Sequence, residues 1–322
     1  MLKIESYRKG IILSTVFNIV NKGLVFLNSL IIAFYFGTAA KMDIYFYAYN
    51  TLLIVSTFIT GINTSVVIPE SIHIRIQEGE TKAYKFLNIF IYAYISLTAL
   101  LTLFFLFDPV STFTTISKYE AQTLANQVSI LLLTTPLLML MTVATLLTDI
   151  LTSYRYFTAP VFVGILNAIC CLTFVLLYHD MLDVKSILLG QLTAYSISIV
   201  LLLSIMKKRL KWNFSLKNSY IPKKIWENIL IVQTGNFVAG IGTYAPFYFL
   251  SGVGMGVIAS LNYAQQLVSQ PVSFITSQIS AVSRIKISEL YALKDYHKIN
   301  DVFKSTINFL IFVLFPISGI LF

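Results

Sequence analysis

The chain has 322 residues, of which 57% are hydrophobic and only 11% charged, with a net charge of +9. Soluble domains carry about 25% charged residues, so this composition excludes an ordinary water-soluble enzyme and indicates an integral membrane protein. Two adjacent cysteines, Cys170 and Cys171, form no disulfide framework and no metal spacing, and three histidines, His73, His179 and His297, lie in loops or at helix ends. The residues imply no catalytic group, no metal and no cofactor.

Residues 1–10 are short and basic, with Lys3, Arg8 and Lys9. They resemble the positive flank of a signal peptide, but the apolar stretch that follows is too long and lacks a small-residue cleavage site, so it is read as a retained helix. That stretch, Ile11 to Phe36, holds 26 residues. As a helix it covers roughly 39 Å, enough to cross a ~30 Å hydrocarbon core with some tilt. Lys22 sits near its centre, and an ammonium there is costly against lipid. Ser14, Asn18, Asn21, Lys22, Asn28 and Ser29 follow the spacings of one helical face, while Leu13, Val16, Val20, Leu24, Leu27 and Ile31 fall mostly elsewhere. Two readings stand. The helix is one wall of a polar, cationic cavity, or Lys22 is a structural lysine bonded to carbonyls of a neighbouring helix.

Nine apolar segments follow in order, at about 11–36, 44–69, 84–107, 123–150, 158–179, 185–206, 225–250, 256–281 and 302–322. All have helix length and none alternates with period two like a barrel strand. The expected fold is all-α, a polytopic membrane protein with one six-helix lobe (1–206), a basic linker (207–224) and a partial second lobe of three helices (225–322). Nineteen of the 23 lysines and arginines fall in the segments on the N-terminal side of the membrane, and Lys41, Lys118 and Lys185 on the other. The positive-inside rule then puts the N-terminus in the cytoplasm. The basic excess reflects topology, and no nucleic-acid partner is implied.

The linker carries Lys207, Lys208, Arg209, Lys211, Lys217, Lys223 and Lys224 and no acid. It is either a segment lying on anionic membrane lipids or a plain connection obeying the charge rule. Trp212 and Trp226 bracket it and suit a membrane interface. The chain partly repeats across it. FGTAAKMDIYFYAYN, from Phe36, is matched by SGVGMGVIASLNYAQQ, from Ser251, at an offset of 216 residues. Each copy runs from a small-residue loop through Tyr-Ala and a helix to a charged segment, which is the parallel repeat of a two-lobe transporter with its site between lobes. The chain stops at Phe322 inside an apolar segment, so a C-terminally truncated chain or partial reading frame is expected.

These stretches resemble the MurJ/MviN-like lipid II flippases, within the superfamily that includes polysaccharide-unit flippases and multidrug exporters. The likeness rests on AFYFGTAAKMDIYFYAYN with Asp43, on Gly61 and Pro69 of the second helix, on LTSYRYFTAPVFVGILNAI (Leu151–Ile169) and on ASLNYAQQLVSQPVSFITSQIS (Ala259–Ser280). It implies two six-helix bundles around a central cationic cavity. It also implies movement of an undecaprenyl-diphosphate-linked saccharide across the bacterial inner membrane by alternating access, with the transporter acting as a monomer. Under that resemblance Lys22, Asn18, Asn21, Asn28, Ser29 and Gln266 bind substrate. Asp43 and Gly61 serve gating and structure, and Asp149 with Arg155 clamps the inner gate by local pairing. Departures bear on the cargo. Asn28 and Ser29 stand where the family carries arginine and aspartate, and Gln265-Gln266 where it carries aspartate and arginine.

Gln233 and Asn236 of the seventh helix, and Asn50 and Asn63 of the second, are expected to be interhelical hydrogen bonds rather than ligands. Gly235, Gly240, Gly242, Gly252, Gly254 and Gly256 permit close helix approach. An alternative function is small-molecule export, which needs a deep acidic residue, and Asp149 is the one candidate. A membrane enzyme is disfavoured, because Asp43, Asp108, Glu120, Asp180 and Asp183 are scattered. An inactive truncated flippase is the remaining alternative.

Overall fold

A computed structural model describes residues 7–217, 221, 223–269 and 296–321, with side chains from Val16 onward and up to Phe315 apart from 313–314. The Ser14 side chain and the part of the eighth apolar segment beyond 269 lie outside what is described. Among the described residues all regular structure is helical. This follows from the solvent: in hydrocarbon every backbone N–H and C=O needs an internal partner, which a helix supplies within one segment.

The helices are α1 (Tyr7–Phe36), α2 (Ala40–Thr60), a π turn (Asn63–Val67), α3 (Ile68–Glu78) and α4 (Glu80–Phe107). Short α5 (Pro109–Thr115), α6 (Ala121–Ala125) and α7 (Val128–Thr134) lead to α8 (Leu137–Ser153), α9 (Ala159–Leu182), α10 (Lys185–Arg209) and α11 (Lys223–Leu250). Helix α12 is described over 257–269, and α13 is Tyr296–Leu321. Six helical stretches among the described residues are long and apolar enough to cross a membrane: Val16–Phe36, Ala40–Glu78, Glu80–Phe107, Val128–Ser153, Ala159–Leu182 and Lys185–Arg209. These match the first six expected segments. Helices α11 and α13 have spanning length, at 28 and 26 residues.

Breaks sit where the backbone chemistry demands. Pro136 separates α7 from α8. Gly79, at φ +95°, turns α3 into α4. Pro69 has no N–H, and one turn before it the ladder widens, so that the Ile68 N–H bonds the Asn63 carbonyl five residues back.

The chain falls into two compact units, 1–261 and 262–322. In the first, α8 is central and packs on α2, α4 and α10, while α1 lies on α9 and α11 on α2. Ile59, Val67, Leu87, Phe90, Leu147 and Leu202 fill the shared core. Large apolar side chains also point outward, Phe107 at 94% exposure and Phe34 at 83%, as lipid-facing surfaces require. The second unit contains α13 and the described residues of α12 from Asn262. Because α11 packs on α2, it belongs to the first compact unit, beyond the sequence boundary drawn at 206. We use "basic end" for the end of the first unit that carries Lys207, Lys208 and Arg209, and "opposite end" for the α1–α2 turn.

At the basic end the sequence expectation for Trp212 is corrected. The indole is 4% exposed and buried in protein rather than placed at a membrane interface. It packs against Tyr84 and Tyr154 at ring separations of 4.1 and 5.8 Å. Its Nε1–H donates to Asn88 Oδ1 at 2.8 Å. The Asn88 amide in turn donates to the Asn213 and Ser215 carbonyls at 2.7 and 3.1 Å, and the Tyr84 hydroxyl donates to the Leu210 carbonyl. Residues 210–215 are therefore a strap docked on α4. Arg75 closes the cluster, 4.3 Å from the Tyr154 ring, with a hydrogen bond to the Ser153 carbonyl. Burial pushes the Tyr154 phenol up to about 12, against the lowering effect of Arg75. Trp226, by contrast, is 53% exposed.

Candidate functional site

Helix α1 carries the predicted polar face, and the structure splits it. Asn21 and Asn28, seven residues apart, turn onto α9. A Cβ at Gly164 would lie 2.6 Å from Asn21 Nδ2, and the Asn28 side chain bonds the Cys171 thiol. Their Oδ1 atoms are buried without a hydrogen-bond partner among the described residues. These two amides serve the α1–α9 contact rather than an open wall. On a helical wheel Asn18, Lys22 and Ser29 fall within about 40° of one another and some 60–120° away from the two amides. All three are half-buried, and the Ser29 hydroxyl donates back to the Val25 carbonyl at 2.9 Å. Gln266 lies on α12 in the second unit, also half-buried.

Asp43, in the first turn of α2, is fully buried at the opposite end. Its Oδ2 accepts from the Tyr119 hydroxyl at 2.7 Å and its Oδ1 from the Ala259 N–H at 2.8 Å. The carboxylate thus caps the start of α12 while holding the loop after α5. A negative side chain suits a helix N-terminus, where N–H groups lack partners. Burial and the neighbouring Asp43 carboxylate push the Tyr119 phenol above its usual range, which keeps it a donor. Gly256 makes this approach possible. It sits at φ +87°, and a Cβ there would lie 2.7 Å from the Thr38 carbonyl oxygen.

Further bonds join the same elements. The Tyr47 and Tyr244 hydroxyls lie 2.7 Å apart, and both reach the Ile116 carbonyl. The Lys118 N–H donates to Ser251 Oγ at 2.9 Å, and its ammonium lies 4.8 Å from the Phe249 ring. The Lys41–Asp183 ion pair, nearly half exposed on both sides, ties α2 to the α9–α10 turn and contributes little, about 0–1 kcal/mol. Together these contacts close the opposite end between α2, the 116–119 loop and the 244–259 segment. Sequence reasoning singled out Asp43 and missed its partners. Tyr47 stood in the YFYAYN aromatic run, but Tyr119 and Tyr244 carried no local signal.

Below this closure an apolar groove of about 390 Å³ runs between α2 and α11, lined by Thr51, Ile54, Phe58, Phe237 and Ile241. Farther along, α11 is fixed to α2 by Gln233, whose amide donates to the Phe58 carbonyl at 3.1 Å, and Asn236 donates to Gln233 at 2.7 Å. The Gln233 bond is the expected interhelical one, whereas the Asn236 bond to Gln233 lies within α11. The Asn50 amide donates to the Phe46 carbonyl of its own helix at 2.7 Å. At Gly61 a Cβ would lie 2.3 Å from Asn236 Nδ2. Gly61→Ala is therefore expected to displace Asn236 and lower stability by about 1–3 kcal/mol, as overpacking does. The pairing of Gly61→Ala with Asn236→Ala restores most of the loss in a thermal unfolding series, and an uncompensated loss would contradict this contact.

The expected pairing of Asp149 with Arg155 is also corrected. Asp149 takes its hydrogen bond from Asn63 at 2.8 Å. Arg155 is exposed, in a left-handed turn at φ +65° just beyond the end of α8.

Known proteins share this fold. The chain is 22% identical over 299 residues to the probable lipid II flippase MurJ of Borreliella burgdorferi, covering 91% of this chain and 58% of that one. A solved lipid II flippase MurJ in an inward closed conformation superposes with a TM-score of 0.69 at 21% identity, over 92% of this chain and 62% of that chain. An outward-facing multidrug resistance MATE family transporter of the MOP superfamily matches at TM-score 0.69 and 11% identity, over 97% of this chain and 71% of its own. The chain thus spans about three fifths of the MurJ relatives it matches. The profile described as lipid II flippase MurJ matches residues 32–322, nearly the whole chain, and the protein belongs to that family.

Proposed function

We propose that the protein is a flippase that moves a diphosphate-linked saccharide lipid across the bacterial inner membrane by alternating access. Family membership over residues 32–322 is the observation that carries this reading. The N-terminus faces the cytoplasm, in keeping with the basic end. Lys22, with Asn18 and Ser29 beside it, receives the diphosphate, since a cation in a low-dielectric site binds phosphate oxygens strongly. The closure around Asp43 is the outer gate, and substrate enters while it is shut. Asn28, Ser29, Gln265 and Gln266 stand where the family carries charged residues, which favours a lipid-linked saccharide unit other than lipid II, since amides and hydroxyls bond phosphate or sugar without neutralising charge. The transporter works as a monomer with membrane lipids around it.

The test is headgroup binding and flipping of a fluorescent undecaprenyl-diphosphate saccharide in proteoliposomes. Lys22→Ala, inserted normally, is expected to weaken binding about tenfold or more, equivalent to ~1.4 kcal/mol or above. Unchanged binding and transport in that variant would sink the assignment of Lys22.

A further inference from the structure

An acidic side chain inside the first unit is held by neutral partners. Asp149 on α8 accepts its hydrogen bond from the Asn63 amide at 2.8 Å. Asn63 is fully buried, and its side-chain oxygen accepts from the Tyr94 hydroxyl of α4 at 2.7 Å. The same hydroxyl lies 2.8 Å from the Ile59 carbonyl of α2. Asn63 also opens the π turn, since its own backbone carbonyl accepts from the Ile68 N–H. Turns of this kind inside α-helices concentrate at functional sites.

This chain of bonds closes in two ways. With Asp149 ionised, the Asn63 N–H₂ donates to the carboxylate and Tyr94 donates to the Asn63 oxygen. With Asp149 protonated, the amide turns over. Its oxygen accepts from the carboxyl O–H, its N–H₂ donates to the Tyr94 oxygen, and Tyr94 donates to the Ile59 carbonyl already within reach. The inventory of donors and acceptors is satisfied in both arrangements. They differ by one proton, taken from water, and by one amide rotation.

The surrounding charged and titratable groups are engaged elsewhere. On α3, Arg75 is held by the Ser153 carbonyl and the Tyr154 ring, and Glu70 lies beside His73. On α4, Tyr94 belongs to the network and Glu80 accepts from Tyr84. On α10, Tyr195 is bonded to Tyr49, and Lys207, Lys208 and Arg209 are exposed at the basic end. On α9, Cys171 is bonded to Asn28, and His179 lies at the opposite end against Tyr35. Arg155 follows α8 and is exposed.

We propose that Asp149, Asn63 and Tyr94 form a proton-binding site whose occupancy sets the conformation of the π turn and, through it, the seating of α11. The coupling is physical. Helix α11 packs on the π turn, and Asn236 abuts Gly61 two residues before Asn63. An intramembrane acid in a relay of polar side chains is a recurring proton carrier. The inference is independent of the cargo and of Lys22.

Difference infrared spectroscopy of the purified full chain in lipid nanodiscs tests it. Lowering the pH is expected to raise a protonated-carboxyl stretch that Asp149→Asn abolishes. Tyr94→Phe, which removes one hydroxyl and keeps the ring, is expected to shift the frequency of that band. Hydrogen exchange over residues 61–68, corrected for its intrinsic pH dependence, is expected to change severalfold with pH in the parent and not in Asp149→Asn. A band that survives Asp149→Asn, a frequency indifferent to Tyr94→Phe, or pH-independent exchange in the parent overturns the proposal.

Discussion

Asp43→Ala is expected to unlatch the opposite end of the protein. The substitution removes the acceptor for two buried donors, the Tyr119 hydroxyl and the Ala259 N–H. Each buried donor left unpaired costs about 1–3 kcal/mol, so a loss of roughly 2–6 kcal/mol is expected for the pair. Asp43→Asn keeps one oxygen acceptor and loses the charge that suits the α12 N-terminus, so it falls between the parent and Asp43→Ala. The direct reporter is hydrogen exchange of the Ala259 amide, read beside the thermal midpoint. Faster exchange there with a lowered midpoint is the expected result. Parent-like protection of Ala259 in Asp43→Ala would mean that the carboxylate does not hold α12. If the end is the outer gate of a flippase, the same variant also raises the outward-open population.

Trp212→Ala is expected to release the strap from α4. The indole is almost fully buried, and truncation of a buried tryptophan costs about 3–5 kcal/mol. Asn88 loses its partner at the same time, and the docked carbonyls of Asn213 and Ser215 lose the anchor that positions them. Trypsin gives the sharpest readout, because Lys211 and Lys217 lie in and just after the strap. Faster cutting there, with a lower thermal midpoint, is the expected outcome. Trp226→Ala is the control. That side chain is more than half exposed, and its loss leaves the cutting rate at Lys211 near the parent value. Equal sensitivity of the two variants would contradict a docked strap.

The strap shows where a residue-type rule loses to packing. Tryptophan beside lysines reads as a membrane-interface anchor, and Trp226 is 53% exposed. Trp212 has the same flanks, but Asn88, 124 residues earlier, presents an acceptor to its N–H. No local window contains that pair. Asp149 and Arg155 make the same point in reverse. Six residues apart in sequence, they suggested a local ion pair. Arg155 is exposed, in a left-handed turn just past α8, and Asn63, 86 residues before Asp149, supplies the bond. On α1 the polar face was legible as a stripe. Which half of it packs on α9 was not, because Gly164 and Cys171 select Asn21 and Asn28 only through the geometry of the crossing.

By itself the sequence determined that this is a helical membrane protein, where its first six spans run, which end is basic, and to which family it is similar. These properties are carried by composition, run length and charge order, all local quantities that lipid enforces strongly. The tertiary structure alone decided the partners. It placed Tyr119 and Ala259 on Asp43, Asn63 on Asp149, and Trp212 under α4. Hydrogen bonds between residues a hundred positions apart depend on how helices cross, and crossing angles follow from the whole packed set of side chains rather than from any one segment.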